Sequence, residues 1–148
     1  MEYLNRIPSN EWENIITHLM DDDPYGSTYH PLVTFACYGN NYDAIKVLVE
    51  HGVNVEAETS YKETAFMIAV KSLKLQSIIA FIECGANIQT KDYQGKGAFD
   101  VLIEKYPSNS NLVLACASVL FHSGLCIDPA YLNVVPIELV RLRYFITK

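Results

Sequence analysis

The chain has 148 residues, of which 50% are hydrophobic and 19% are charged, and its formal net charge is -6. This length supports one domain, and this composition is typical of a globular chain rather than a disordered one. The acidic balance and the scattered lysines and arginines exclude a general basic surface for nucleic acid or anionic lipid. No stretch approaches the roughly 20 apolar residues that span a bilayer, and the start lacks a signal-peptide pattern.

The four cysteines are far apart in the sequence and form no CxxC pair: Cys37, Cys84, Cys116 and Cys126. A reduced chain in the cytoplasm, with the cysteines as small apolar residues, fits this pattern best. Two disulfides are the alternative that an even count leaves open. The composition, rich in Asn, Ile and Tyr, is compatible with a pathogen source, in which case the compartment is the host-cell cytoplasm.

The N-terminal segment has the pattern of a helix. Cap residues at Pro8-Ser9-Asn10 precede apolar residues at helical spacing, which are Trp12, Ile15, Ile16, Leu19 and Met20. A run of three aspartates and Pro24 ends the pattern. We therefore predict an N-terminal capping helix within residues 1–22.

Two stretches of the chain are nearly the same. Residues 51–57 read His-Gly-Val-Asn-Val-Glu-Ala, and residues 84–90 read Cys-Gly-Ala-Asn-Ile-Gln-Thr. The match continues where Glu-Thr-Ala-Phe at 63–66 is followed by Lys-Gly-Ala-Phe at 96–99. The copies recur at a fixed period of about 33 residues, which is typical of a repeat architecture.

Apolar patterns and turn residues predict short helices at 31–37, 42–51, 64–72, 76–84 and 112–122. Gly52 and Gly85 stand where a left-handed helix cap is needed. Helices this short are not stable alone, so the units must stack. Gly85 to Gly124 spans six residues more than the period, which we interpret as an enlarged loop at 106–111.

The repeats resemble the ankyrin family over about residues 23–128. The motifs that carry this resemblance are Asp-Tyr-Gln-Gly at 92–95, Thr-Ala-Phe-Met at 64–67, His-Pro-Leu-Val at 30–33, and the Gly-x-Asn-Val/Ile ends at 52–55 and 85–88. The resemblance implies an all-α solenoid of helix-turn-helix units with β-turn fingers, in repeats at 23–57, 58–90 and 91–128. An apolar segment, 129–148, would form a C-terminal helical cap.

Three departures from the family pattern lead to expectations about turns. One extra residue is expected near Asn40-Asn41, because Gly39 and Gly52 are spaced one residue wider than the family's pattern. The first finger is longer than usual, because Tyr29-His30 intervenes before Pro31. Lys62 replaces an expected glycine, so the turn of the second finger is expected to differ.

No pattern in the chain indicates catalysis or a cofactor. The four histidines, His18, His30, His51 and His122, fall in different units and have no metal-ligand spacing. There is no P-loop and no nucleophile elbow. We expect no enzyme, cofactor or metal, although a Cys–His pair brought together only in space stays open.

The resemblance implies that a partner protein binds the concave side, at finger tips and exposed inner-helix positions. The positions carried over are Tyr25, Tyr38, Ser60, Tyr61, Glu63, Lys71, Tyr93, Gln94, Lys96 and Lys105, with Pro24, Cys37, Ser72 and Glu104 beside them. Turns have no structural need for tyrosine, and tyrosine is enriched at interfaces. With ten tyrosines in the chain, their chance placement on turns is the alternative.

The expected function is non-catalytic protein binding, as an inhibitor or masking protein. The alternative is an adaptor that docks a ubiquitin-ligase component through the C-terminal segment, where Pro136-Ile137-Glu138-Leu139 is faintly similar to the start of an F-box. The apolar C-terminal segment also allows self-association. An enzyme with an unrecognised site is the third alternative, and it would depend on residues such as His30, Cys37 or Cys116.

Overall fold

The computed structural model describes residues 32–133. The predicted N-terminal helix, the long first finger with Tyr25 and His30, and residues 134–148 of the predicted cap lie outside the described residues. The elements are helices α1 to α6 and one short 3-10 helix: α1 Leu32–Tyr38, α2 Tyr42–Glu50, α3 Ala65–Lys71, α4 Leu75–Glu83, α5 Ala98–Lys105, α6 Ser110–His122, and the 3-10 helix Pro129–Asn133.

The helices form two parallel rows. Helices α1, α3 and α5 pack side by side as an inner row, and α2, α4 and α6 pack as an outer row. Isolated antiparallel bridges, Glu58 with Thr64 and Lys91 with Gly97, close two finger turns, and the described range contains no β-strand. The predicted all-α solenoid of helix-turn-helix units with β-turn fingers is therefore confirmed.

Helix α3 holds the centre of the core. All residues from Ala65 to Val70 are buried, because α1 and α5 flank this helix and α4 covers its remaining side. Alanines at 65 and 69 let the neighbouring helices approach, while Phe66 and Met67 fill the space between them. Burying each large side chain contributes about 1.5–3 kcal/mol to stability. An isolated seven-residue helix lacks this burial and is not stable alone.

The third repeat is longer because its outer helix is longer. Helix α6 has 13 residues, whereas α4 has 9, and only residues 106–109 separate α5 from α6. The prediction of an enlarged loop at 106–111 with a helix starting at 112 was wrong. Polar Ser110 and Asn111 occupy the first helical turn, where free N–H groups can face water. The buried residues of α6 are spaced on one helical face: Val113, Cys116, Ala117 and Leu120.

The finger turn at Lys62 has the same geometry as the turn at Gly95, so the expected difference was wrong. The Lys62 N–H donates to the Thr59 carbonyl at 2.9 Å, and the Gly95 N–H donates to the Asp92 carbonyl at 2.9 Å. Both residues are left-handed, with φ of 60° at Lys62 and 76° at Gly95. Lys62 therefore adopts a conformation that costs a side-chain-bearing residue free energy.

Replacing Lys62 with glycine is expected to raise the free energy of unfolding by about 0.5–1 kcal/mol, because glycine adopts positive φ without a Cβ penalty. Gly95→Ala is the matched control and should lower it by a similar amount. Urea unfolding followed by circular dichroism measures both. A Lys62→Gly variant that is no more stable than the parent would contradict this account of the turn.

Asn40 links two repeats. Its φ is 49° and that of Leu73, the equivalent residue of the next repeat, is 53°, so both fill the same left-handed position between paired helices. The expected extra residue near Asn40-Asn41 was therefore wrong, because the two turns are of equal length. The Asn40 side-chain oxygen accepts the backbone N–H of Ser77, in the first turn of α4, at 3.1 Å. Lys74, at the N-cap of α4, makes no side-chain cap hydrogen bond, so Asn40 caps α4 from the preceding repeat.

Asn40→Ala is expected to lower the free energy of unfolding by about 1–2 kcal/mol, because it removes a helix cap and strains a left-handed residue. Asn40→Gly keeps the backbone conformation and should lose only the cap. Amide hydrogen exchange at Ser77 should speed up in both variants. Unchanged exchange at Ser77 in the two variants would show that the cap contributes nothing.

Candidate protein-binding face

The finger turns and the inner helices share one surface, which we call the finger face. It comprises the turns at 58–63 and 91–96 together with the exposed side chains of α1, α3 and α5. In two successive repeats, the last residue of the turn pairs with the inner-helix residue eight positions later: Glu63 with Lys71, and Lys96 with Glu104. The two pairs occupy equivalent positions of adjacent repeats with their charges exchanged. Each finger is thereby tied to the inner helix of its own repeat.

Lys71 also ties its repeat to the next finger. Its Nζ lies 3.0 Å from Asp92 Oδ2, and the Asp92 side chain is only 1% exposed. The other carboxylate oxygen accepts the backbone N–H groups of Gln94 at 2.8 Å and Lys96 at 2.9 Å. Asp92 therefore shapes the third finger turn from within and fixes that finger against α3.

The charged forms of Lys71 and Asp92 are both favoured in the folded chain. Burial raises the pKa of Asp92, but the backbone hydrogen bond from Lys96 and the pairing with Lys71 outweigh it, and the net pKa lies below the ordinary value. Burial lowers the pKa of Lys71, but the hydrogen bonds to Glu63 and Asp92 outweigh it, and the net pKa is raised. Both groups are charged throughout the neutral range as a result.

Exposed aromatic rings line the finger face. Tyr61 and Tyr93 are at the tips of the fingers and are 61% and 66% exposed. The Lys71 Nζ lies over the Tyr93 ring, 5.6 Å from its centroid. Tyr38 ends α1, where partial burial and the nearby Glu63 carboxylate raise the pKa of its phenol. The ion pair and the cation–π contact of Lys71 therefore connect Glu63 of the second finger with Tyr93 of the third.

The predicted site residues fall into two groups. Tyr38, Ser60, Tyr61, Tyr93, Gln94 and Lys105 are exposed, whereas Glu63, Lys71 and Lys96 are partly buried in ion pairs on the same face. Cys37 was wrongly placed on this face: it is fully buried, with its Sγ 3.7 Å from the Ala65 carbonyl oxygen. Tyr25 lies outside the described residues.

Phe35 is a surface residue that the sequence prediction missed. It is 46% exposed and lies one helical turn before Tyr38 on α1. The spacing of three positions between two aromatic residues was the available signal, since such residues share a helix face. Phe35 was missed because the family pattern carried over only Cys37 and Tyr38 as exposed positions of this helix.

A shallow depression opens between the third finger and α5. Its volume is about 170 Å³, and its lining is mostly charged: Lys71, Asp92, Gln94, Lys96, Val101, Glu104 and Lys105. A second cavity of about 220 Å³ lies between the third finger and residues 125–131. There Tyr131 donates a hydrogen bond to Asp100, and its ring contacts the Phe99 ring edge-on at 5.4 Å.

The buried thiols are poor nucleophiles. Burial raises the pKa of Cys37 to about 12 and that of Cys116 to about 11, so thiolate is scarce at neutral pH. Over residues 32–133 no three His, Cys, Asp or Glu side chains are grouped as metal ligands would be. None of the helices in that range has the length and apolar character that crossing a membrane requires.

Stacked helix pairs with projecting fingers define a repeat solenoid, a class of protein that presents an extended surface. The family model for ankyrin repeats, which describes three copies, matches residues 9–92. That match covers more than half of the chain, so the chain belongs to the ankyrin repeat family. Ankyrin repeats generally act as protein–protein interaction modules and are typically non-catalytic. Among curated proteins, a search finds none that matches the chain.

Proposed function

We propose that the chain binds a partner protein on the finger face, mainly through Tyr38, Tyr61 and Tyr93. The observation that carries this proposal is the distribution of exposed large apolar side chains. Within residues 32–133 these are Phe35, Tyr38, Tyr61, Tyr93 and Leu112, and four of the five belong to α1 or the finger tips. Aromatic residues give large contact area for little lost conformational entropy.

The charged residues of the face support this role indirectly. Lys71 pairs with both Glu63 and Asp92 and so holds the second and third fingers against α3. A partner therefore meets fingers that are already ordered, so binding costs less entropy. The chain would act by occupying a surface of its partner, as an inhibitor or masking protein does.

The test is a binding titration with the partner captured from lysate by the full chain. Tyr61→Ala combined with Tyr93→Ala should weaken binding more than tenfold, because truncating an aromatic anchor typically costs over about 1 kcal/mol. Leu112→Ala is the matched control, since it removes an exposed apolar side chain from the outer row. Adding Tyr25→Ala to the double variant tests the first finger, which remains a sequence-based member of the face.

The melting temperature of each variant separates lost binding from lost folding. The exposed tyrosines contribute little to the core, so we expect the double variant to melt close to the parent. Full affinity in a folded Tyr61→Ala/Tyr93→Ala variant, or a larger loss in Leu112→Ala, would show that the partner binds elsewhere.

A further inference from the structure

We infer that the finger face takes an acidic segment of its partner, with a carboxylate at Lys105 beside Tyr93. This inference rests on the proposed function and specifies the chemistry of the partner. It follows from which charges of the face are already paired and which are not.

The carboxylates of the finger face have cations of the same face as partners. Lys71 pairs with both Glu63 and Asp92, and two further pairs are Lys96 with Glu104 and Lys62 with Glu58. By contrast, the Lys105 ammonium has no carboxylate at ion-pair distance among residues 32–133, and its side chain is exposed. Lys91, in the third finger turn, is also exposed and has no such ion pair in that range, but only Lys105 of the two lines the depression between the third finger and α5.

The depression beside Lys105 has the size for one acidic side chain. Its volume is about 170 Å³, and Lys71, Lys96, Lys105 and Gln94 line it together with Asp92 and Glu104, whose carboxylates are paired with Lys71 and Lys96. A carboxylate there would accept from the Lys105 ammonium and from the Gln94 amide. The exposed Tyr93 ring, next to Gln94 in the same turn, would cover an adjacent apolar side chain of the segment.

On helices α2 and α4 of the outer row, carboxylates outnumber cations. Asp43, Glu50 and Glu83 lie on α2 and α4, where Lys46 is the one cation within the helices themselves. An acidic segment would be repelled by the outer row and attracted to Lys105, which orients the encounter. The same asymmetry disfavours a basic partner on the finger face, where the carboxylates are already occupied.

The experiment is selection of phage-displayed random peptides on the full-length chain, repeated on variants. On the parent chain, we expect the selected peptides to be enriched in Asp and Glu next to apolar residues. Lys105→Glu should abolish that enrichment, whereas Lys74→Glu, the same change at the start of the outer helix α4, should preserve it. A synthetic peptide from the parent selection should bind Lys105→Gln about two- to fivefold more weakly.

A double-mutant cycle makes the assignment specific. Replacing the acidic residue of the peptide with its amide should weaken binding to the parent chain by the same factor, about two- to fivefold. The same replacement should not weaken binding to Lys105→Gln any further. Two outcomes would overturn the acidic assignment and leave the proposed face intact. In the first, the selected peptides require Tyr61 and Tyr93 but are not enriched in Asp and Glu. In the second, peptides selected on Lys105→Glu show the same acidic enrichment as those selected on the parent chain. Selected peptides that bind a Tyr61→Ala/Tyr93→Ala variant undiminished would overturn the proposed face itself.

Discussion

Replacing Asp92 with alanine is expected to lower the free energy of unfolding by about 3 kcal/mol, the largest effect we predict for a polar residue. The substitution removes acceptors for two backbone N–H groups of the third finger and the ion-pair partner of Lys71. Hydrogen bonds to a charged group are worth about 1.5–3 kcal/mol each, and the exposed end of Lys71 reduces the ion-pair share. Urea unfolding at neutral pH measures the change.

Two variants separate the contributions of Asp92. Asp92→Asn keeps an oxygen for the turn and loses the charge, so it should cost about half as much as alanine. Glu58→Ala removes an exposed ion pair of 3.8 Å and should cost no more than about 0.5 kcal/mol. A cost for Asp92→Ala as small as that of Glu58→Ala would refute the claim that Asp92 holds the third finger.

Acid pH provides an independent check of Asp92. Its pKa is lowered in the folded chain, so its contribution is complete above the ordinary aspartate pKa of about 3.9 and is lost as pH falls through the folded value. The difference in stability between the parent and Asp92→Asn should therefore be constant near neutral pH and shrink on acidification. A difference that persists unchanged below the folded pKa would mean that the charge is not its cause.

Replacing Tyr131 with alanine is expected to lower the free energy of unfolding by about 2 kcal/mol and to release residues 125–133 from the third repeat. Its ring contacts Phe99 at 5.4 Å with an interplanar angle of 85°, and its hydroxyl binds Asp100. The partial exposure of Tyr131 puts the cost below that of a core aromatic residue, which is about 3–5 kcal/mol. Hydrogen exchange at Leu125 and Ala130, whose amides are hydrogen-bonded, should speed up selectively.

Alkaline pH should loosen the same contact. The hydrogen bond to Asp100 raises the pKa of Tyr131 to about 12. A raised tyrosine pKa gives stability that is complete below the unfolded value of about 10 and is lost as pH rises toward about 12. Tyr131→Phe keeps the ring and should abolish this pH dependence. If the phenylalanine variant loses stability over that interval as steeply as the parent, another group is responsible.

Much of the fold follows from local sequence signals. The repeat period, the caps at Gly52 and Gly85, and the apolar spacing located most helix ends to within two positions. Two of the errors came from judging residues by type alone. Ser110 and Asn111 are polar and yet begin a helix, because the apolar residues that follow share a buried face. Lys62 shows that a side chain tolerates a left-handed turn when the surrounding hydrogen bonds are kept.

The candidate site was predictable in position but not in organisation. Repeat register alone places Tyr61 and Tyr93 on fingers and Lys71 and Lys105 on inner helices. The link from Lys71 to Asp92 joins residues of different repeats, so it depends on how closely the repeats stack. The exchanged charges of the two repeat-internal pairs were a readable signal, since equivalent positions carry Glu63–Lys71 and Lys96–Glu104.

The most direct measurement is NMR chemical-shift mapping of the full chain with a peptide selected on it. We predict that the largest shift changes fall at residues 60–63, 92–96 and 104–105, with small changes in α2 and α4. Changes that concentrate on the outer row, and leave the finger turns unaffected, would contradict the assignment of the finger face as the protein-binding surface.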